Sequence, residues 1–164
     1  MILEHDFEQS VGCWVISTAR LFERSLNEEL APHGITYQQW QVLAWLAYEG
    51  DLTQTALAQR LQVEAPTMVG ILDRMERDGW VSRTTSPHDR RKKIVRPMPK
   101  VEPIWATILA CARRLRARAT QNIDPEELAT VKRVLAAVRA NLTGEEKEKP
   151  TTATRPLQAA TNSR

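Results

Sequence analysis

The chain has 164 residues, 42% of them hydrophobic, and a formal net charge of +3, enough length for one domain with a buried core and too little charge by itself to indicate a nucleic-acid partner. No apolar run is long enough to span a bilayer and the acidic N-terminus lacks a signal peptide's layout, so a cytoplasmic protein with no membrane partner is expected. The two cysteines, Cys13 and Cys111, make neither a disulfide framework nor a zinc-ligand spacing.

Residues 1–8 read as a loose lead-in. From about residue 8 to 31, Val11, Trp14, Val15, Leu21, Phe22, Leu26 and Leu30 recur at helical spacing, and Pro32-His33-Gly34 ends the run. Thr36 with Gln39 three residues later is a capping box for a second helix. That helix carries Trp40, Val42, Leu43, Trp45, Leu46 and Tyr48, is apolar nearly all round, and is therefore expected at the centre of the domain.

Thr53 caps a short helix over 54–62, with Ala56, Leu57 and Leu61 turned to the core. Val63-Glu64-Ala65 makes a turn, Pro66 sits at the first position of the next helix, and Gly79 stops that helix after about Asp78. Its inward stripe is read as Val69, Leu72 and Met75 with Ile71 alongside, which leaves Glu64, Ala65, Thr67, Met68 and Gly70 facing outward.

Val81–Thr85 and Ile94–Val95 are rich in β-branched residues, and the turn formers between them make a hairpin. Its tip carries Arg90, Arg91, Lys92 and Lys93 in a row. Asp89, two residues before Arg91, is placed to orient that guanidinium through a bidentate pair. From Arg74 to Lys100 there are nine Lys and Arg against three Asp and Glu, a local +6 that leaves the rest of the chain at −3. Charge gathered on one element is the footprint of phosphate binding.

A further helix is expected from Val101 to about Gln121, with Ile104, Trp105, Ile108, Leu109, Ala112 and Leu115 on its stripe and Arg113, Arg114, Arg116 and Arg118 on its later turns. Asp124-Pro125-Glu126-Glu127 starts a last helix, whose Leu128, Val131, Leu135, Val138 and Leu142 follow near-heptad spacing. Neither end helix has a large element of its own chain to cover it, so a second subunit is expected to do so. Residues 144–164 read as a disordered tail.

The stretch LAQRLQVEAPTMVGILDRMERDGWVSR, followed by the Asp89-Arg90-Arg91 tip, resembles the multiple-antibiotic-resistance regulator (MarR) family and most of all its SlyA-like branch. The resemblance covers roughly residues 8–143. It implies a mainly α fold with a small β-hairpin wing: one domain over 1–143, with a winged helix-turn-helix over about 36–100 and dimerisation helices over about 8–31 and 101–143. Two departures stand out. Gly70 occupies a place where the branch often has arginine, and the second strand runs into Arg96-Pro97-Met98-Pro99, a stiffer junction than usual.

The resemblance implies a homodimeric, ligand-responsive transcription regulator that binds a pseudo-palindromic operator in double-stranded DNA. The DNA-facing set is then Thr53, Gln54, Thr55, Glu64, Ala65, Pro66, Thr67, Met68, Gly70, Arg74, Arg83, Ser86, His88, Asp89, Arg90, Arg91, Lys92 and Lys93. It also implies an effector pocket, here Trp14, Ser17, Arg20 and Leu21 with Tyr37, Trp40 and Gln41, of the kind that takes small aromatic carboxylates. Arg20 or Arg83 would pair with the carboxylate.

Two other readings stay open. Some relatives sense organic hydroperoxides through a cysteine near Cys13, assisted by a tyrosine near Tyr37, although Cys13 lacks an evident cation to activate it. A winged-helix module that docks a protein is the other. His5, His33 and His88 are scattered and no phosphate-cradling glycine loop, nucleophile context or carboxylate pair occurs, so neither metal, cofactor nor enzymatic activity is expected.

Overall fold

The computed structural model describes residues 7, 9–87 and 89–144. The rest of the lead-in, His88 and the tail beyond Gly144 lie outside the described residues. The described residues divide into two compact units, one up to Ala119 and one from Thr120 to Gly144.

The first unit opens with α1 (Val11–Leu30), capped by the Ser10 hydroxyl, which accepts the Cys13 N–H. A 3-10 turn over Ala31–His33 leads to α2 (Tyr37–Glu49). The expected capping box is formed: Thr36 Oγ1 accepts the Gln39 N–H at 3.3 Å and Gln39 Oε1 accepts the Thr36 N–H at 2.9 Å. Val42, Leu43 and Leu46 of α2 are fully buried. The apolar girdle is not closed, however: Trp45 is roofed by Arg60, 5.5 Å from its ring, and Tyr48 is 69% exposed.

β1 (Leu52–Thr53), α3 (Gln54–Leu61), α4 (Ala65–Arg77), β2 (Val81–Thr85) and β3 (Lys93–Pro97) follow. The sheet has three antiparallel strands in the order β1-β3-β2, with Leu52 opposite Val95 and Arg83 opposite Val95 from the other side. Sequence reading found the hairpin but not β1, because two residues carry no alternation to read. Val81 and Val95 point into the core and fix the face of the sheet that packs on the helices.

The phase of α4 differs from expectation. Its buried stripe is Met68, Ile71, Leu72 and Met75, and Val69 faces outward, 39% exposed. Met68, 1% exposed, belongs to the core and leaves the outward set. Both stripes share Leu72 and Met75. Full burial of Ile71 turns the helix toward the Met68 side, and an unbranched methionine fills the gap there. Pro66 lies at the second helical position, where its missing N–H also costs nothing.

A 3-10 turn over Pro99–Val101 delays the next helix, so α5 runs over Glu102–Ala119. Ile108, Cys111 and Leu115 bury its inner face beside Leu26 and Leu30 of α1. The second unit holds α6 (Pro125–Thr143). Its start is as read: Asp124 accepts the Glu126 N–H at 2.7 Å, Glu127 closes the box, and Pro125 leads the helix. Its Val131, Val134, Leu135 and Leu142 are exposed, as are Val11, Trp14, Ile16, Leu21 and Phe22 of α1. No helix among the described residues is long and apolar enough to cross a membrane.

Candidate nucleic-acid interface

The turn between α3 and α4 is made by Gln62, which takes a left-handed conformation (φ 54°), after which the Val63 N–H returns to the Ala58 carbonyl at 3.0 Å. α4 then begins at Ala65 with no side chain capping its first turn. Its unsatisfied N–H groups and the positive end of its dipole are left for an anion or for water. Ala65, Pro66, Thr67 and Val69 are exposed around that end. Gly70 keeps the face low: a Cβ there would stand 3.7 Å from the Arg74 guanidinium.

The cations of the wing divide into committed and uncommitted ones. Arg83 is committed. Its guanidinium lies 2.6 Å from Glu76 and 2.7 Å from Asp73, reaches Gln54 at 3.5 Å, and its backbone N–H also goes to Glu76. Only 18% of the Arg83 side chain is exposed. These bonds hold the Glu76 carboxyl below its usual value, chiefly through the side-chain hydrogen bond from Arg83, and raise the Arg83 guanidinium in turn. Arg83 therefore ties β2 to α4 and has no guanidinium edge left for an effector carboxylate. Arg96 pairs with Asp51 next to β1, and Arg77 pairs with Asp78. Lys93 donates across the hairpin to Thr85 at 2.9 Å, and Lys92 lies 3.8 Å from Asp89. Arg90 and Arg91 are exposed and, among the described residues, pair with no carboxylate.

Asp89 acts differently from expectation. It does not grip the Arg91 guanidinium. Its Oδ1 accepts the Arg91 backbone N–H at 3.0 Å while its backbone carbonyl accepts the Lys92 N–H at 2.9 Å. That is an Asx-type turn, in which the carboxylate shapes the loop and leaves the arginine side chain to extend. Ser86 is buried where β2 runs into the tip loop, its N–H meeting the Lys92 carbonyl, and so does not face outward. Thr53 spends its hydroxyl on the Ala56 N–H, while Thr55 is exposed. Glu64 and Arg74 are exposed as read. Val69 is the outward residue that sequence reading assigned to the core.

The expected effector residues fall into two groups. Cys13, Trp14, Ser17 and Arg20 line a hollow of ≈ 540 Å³ on α1 together with Phe7 and Ile16. Leu21 does not line that hollow, and Ser17 turns its hydroxyl to the Trp14 carbonyl. On α2, Tyr37 stacks on Trp40 with ring centroids 5.8 Å apart, and Gln41 donates to the Tyr37 hydroxyl at 3.2 Å. Burial, helped by Glu23, pushes the Tyr37 phenol up from its usual value. The Trp40 indole N–H is buried with no hydrogen-bond partner among the described residues. No group of His, Cys, Asp and Glu among the described residues is arranged to hold a metal ion.

Comparison with known proteins places this geometry. The MarR family model matches residues 33–92, from the 3-10 turn after α1 through the wing tip. The uncharacterised HTH-type transcriptional regulator YwoH of Bacillus subtilis (strain 168) is 41% identical over 78 residues, 48% of this chain; the match spans only 56% of that relative's length. The solved structure of the transcriptional regulator PA3341 is 34% identical, with a TM-score of 0.75, over 82% of this chain and 99% of that one. A cysteine-to-serine mutant of MarR from E. coli, solved in complex with operator DNA, superimposes with a TM-score of 0.73 at 28% identity, over 78% of this chain and 92% of that one. With the helix-turn-helix, the three-stranded wing and a near full-length relative at this identity, the chain belongs to the MarR family, whose members regulate transcription and are not enzymes.

Proposed function

We propose that the chain works as a homodimer that binds a pseudo-palindromic operator in double-stranded DNA and changes its affinity on taking up a small aromatic ligand, in the manner of the SlyA-like branch. The observation that carries the DNA reading is the division of cations on the wing. Arg83, Arg96 and Lys93 are engaged within the protein, whereas Arg90 and Arg91 extend from a turn shaped by Asp89. A narrow finger with two uncommitted guanidinium groups suits a minor groove, whose negative potential attracts arginine. The uncapped start of α4, with Thr67 and Val69 outward, suits the major groove: a threonine hydroxyl reads base edges and an apolar side chain meets a thymine methyl. Thr55 and Arg74 stand as phosphate contacts. The relative solved in complex with operator DNA supports the DNA-binding reading.

The homodimer reading rests on apolar surface. Val11, Trp14, Leu21 and Phe22 of α1 and Val131, Val134, Leu135 and Leu142 of α6 are exposed, more apolar side chains than a monomer leaves in water without use. Two-fold symmetry then predicts half-sites about one helical turn apart, ~10 bp. For the ligand, the α1 hollow with Arg20 supplies an apolar wall and one cation, and the Trp40 N–H supplies an unused donor on α2. A thiol-sensing variant of this reading draws on Cys13, which lines the same hollow. Replacing Cys13 by Ser and treating both proteins with a hydroperoxide distinguishes them: a loss of DNA binding confined to the parent protein supports the thiol. A gel shift with the intergenic DNA upstream of the chain's own gene tests the core of the proposal, and absence of a complex at low ionic strength sinks it.

A further inference from the structure

Of the two arginines of α4, Arg74 is the one that forms no ion pair among the described residues. The acids within a turn of it are taken: Asp73 and Glu76 hold Arg83 of β2, and Asp78 holds Arg77. No carboxylate is free to hold Arg74 toward the C-terminal end of the helix. Its side chain instead runs back over the preceding turn, the direction that long helical side chains favour. There its Nη1 stands 3.7 Å from where a Cβ on Gly70 would be. A methyl group at Gly70 would meet the guanidinium at ordinary contact distance, whereas a longer side chain would occupy its path. Gly70 is half-buried although it lies across the helix from the buried Met68, Ile71, Leu72 and Met75, as expected if Arg74 covers it.

The direction matters for what Arg74 can touch. A helix of ~10–12 Å diameter nearly fills a major groove ~12 Å wide. Side chains at its front meet the base edges on the floor, and those on its flanks meet the phosphate walls. Gly70 lies nearer the centre of the exposed face than Arg74 does, given the buried stripe. Folding back over Gly70 thus carries the Arg74 charge from flank to front. It also moves that charge about one turn, ~5.4 Å, toward the N-terminal end that reads bases. Thr67, on the same face as Gly70 and Arg74, is exposed beside it. A planar guanidinium in that place offers two donors to O6 and N7 of a guanine, the acceptor pair that arginine matches best.

We infer that Arg74 reads one guanine in each half-site, and that Gly70 is the notch that lets it do so. The inference rests on the regulator reading above and, for Arg74, puts a base contact in place of the phosphate contact assigned there.

The test recovers the duplexes bound by the purified full chain from a random-sequence pool and measures their affinities by fluorescence anisotropy. The parent is expected to require guanine at one position of each half-site, any other base there lowering affinity about tenfold. Replacing that guanine by 7-deazaguanine, which lacks the N7 acceptor, is expected to lower affinity about threefold or more. Arg74 is exposed, so Arg74→Ala leaves the fold intact; it is expected to level that one position to within about twofold and to leave the other preferences unchanged. Gly70→Leu keeps the arginine but displaces it and loses the same preference, whereas Gly70→Ala keeps it. If Arg74→Ala weakens all duplexes alike and lowers the salt slope by roughly 0.9, Arg74 holds a phosphate and the inference is overturned. A guanine preference that survives in Arg74→Ala overturns it as well, and one that survives in Gly70→Leu overturns the role of the notch. A parent that binds no duplex at low ionic strength fails the regulator reading itself, whereas the other outcomes leave that reading standing.

Discussion

Arg83 and Met68 show how a single side chain decides what its neighbours are for. Arg83 is almost enclosed by Asp73, Glu76 and Gln54, so Arg83→Met should leave two carboxylates facing each other and lower stability by roughly 1–3 kcal/mol in denaturant titration. The same cluster gives a pH dependence. Because Glu76 is held below its ordinary pKa by Arg83, its contribution is present above the unfolded carboxylate value and is lost as the pH falls through the folded one. Stability measured against pH should therefore decline more gently on the acid side in Glu76→Gln; an unchanged acid limb would remove Glu76 from the account. Met68 and Val69 test the phase of α4. Met68→Ala should cost about 2–5 kcal/mol, whereas Val69→Ala should stay within about 0.5 kcal/mol and lower DNA affinity instead. The reverse ranking would restore the stripe read from sequence. That stripe was mistaken because Met and Val are both apolar and adjacent, and composition alone does not say which of two overlapping arcs is buried. Asp89 was legible as a turn former, but whether its carboxylate meets a side chain or a backbone N–H depends on loop geometry that two residues of spacing do not specify.

Local chemistry wrote the element boundaries most plainly. The capping box of Thr36 with Gln39 and the Asp124 cap sit where the sequence puts them, because capping depends on residues two or three apart and on nothing distant; the structure adds Glu127 to the second as a box partner. The wing strands were readable from β-branched runs. β1 was not: Leu52-Thr53 becomes a strand only because β3 arrives beside it, an effect of tertiary pairing. Likewise Gly79 was a visible stop for α4, while the left-handed turn at Gln62 was hidden, since glutamine does not advertise a positive φ. Gln62→Gly should consequently stabilise the α3–α4 turn by about 0.5–1 kcal/mol, read as a higher thermal midpoint. A lower midpoint would mean that the Gln62 side chain contributes more than its backbone strain costs.

At the scale of the whole molecule, the expected pocket residues stand on two helices, with Cys13, Trp14, Ser17 and Arg20 lining a hollow on α1 and Tyr37 stacked on Trp40 on α2; helical spacing orders residues along each element and says nothing about which elements meet around a void. The exposed apolar residues of α1 and α6 are what the proposed homodimer rests on, and such a dimer would present two wings and two α4 starts to one duplex. The most direct measurement is the affinity of the purified chain for duplex DNA from upstream of its own gene, followed by fluorescence anisotropy across a range of salt concentrations, with the Arg90→Ala, Arg91→Ala double variant beside it. The account predicts tight binding at low salt with a steep negative log–log slope, reduced in the variant by roughly 0.9 for every phosphate contact removed. A parent protein that stays unbound at low ionic strength, or a variant with the same affinity and slope, would contradict it.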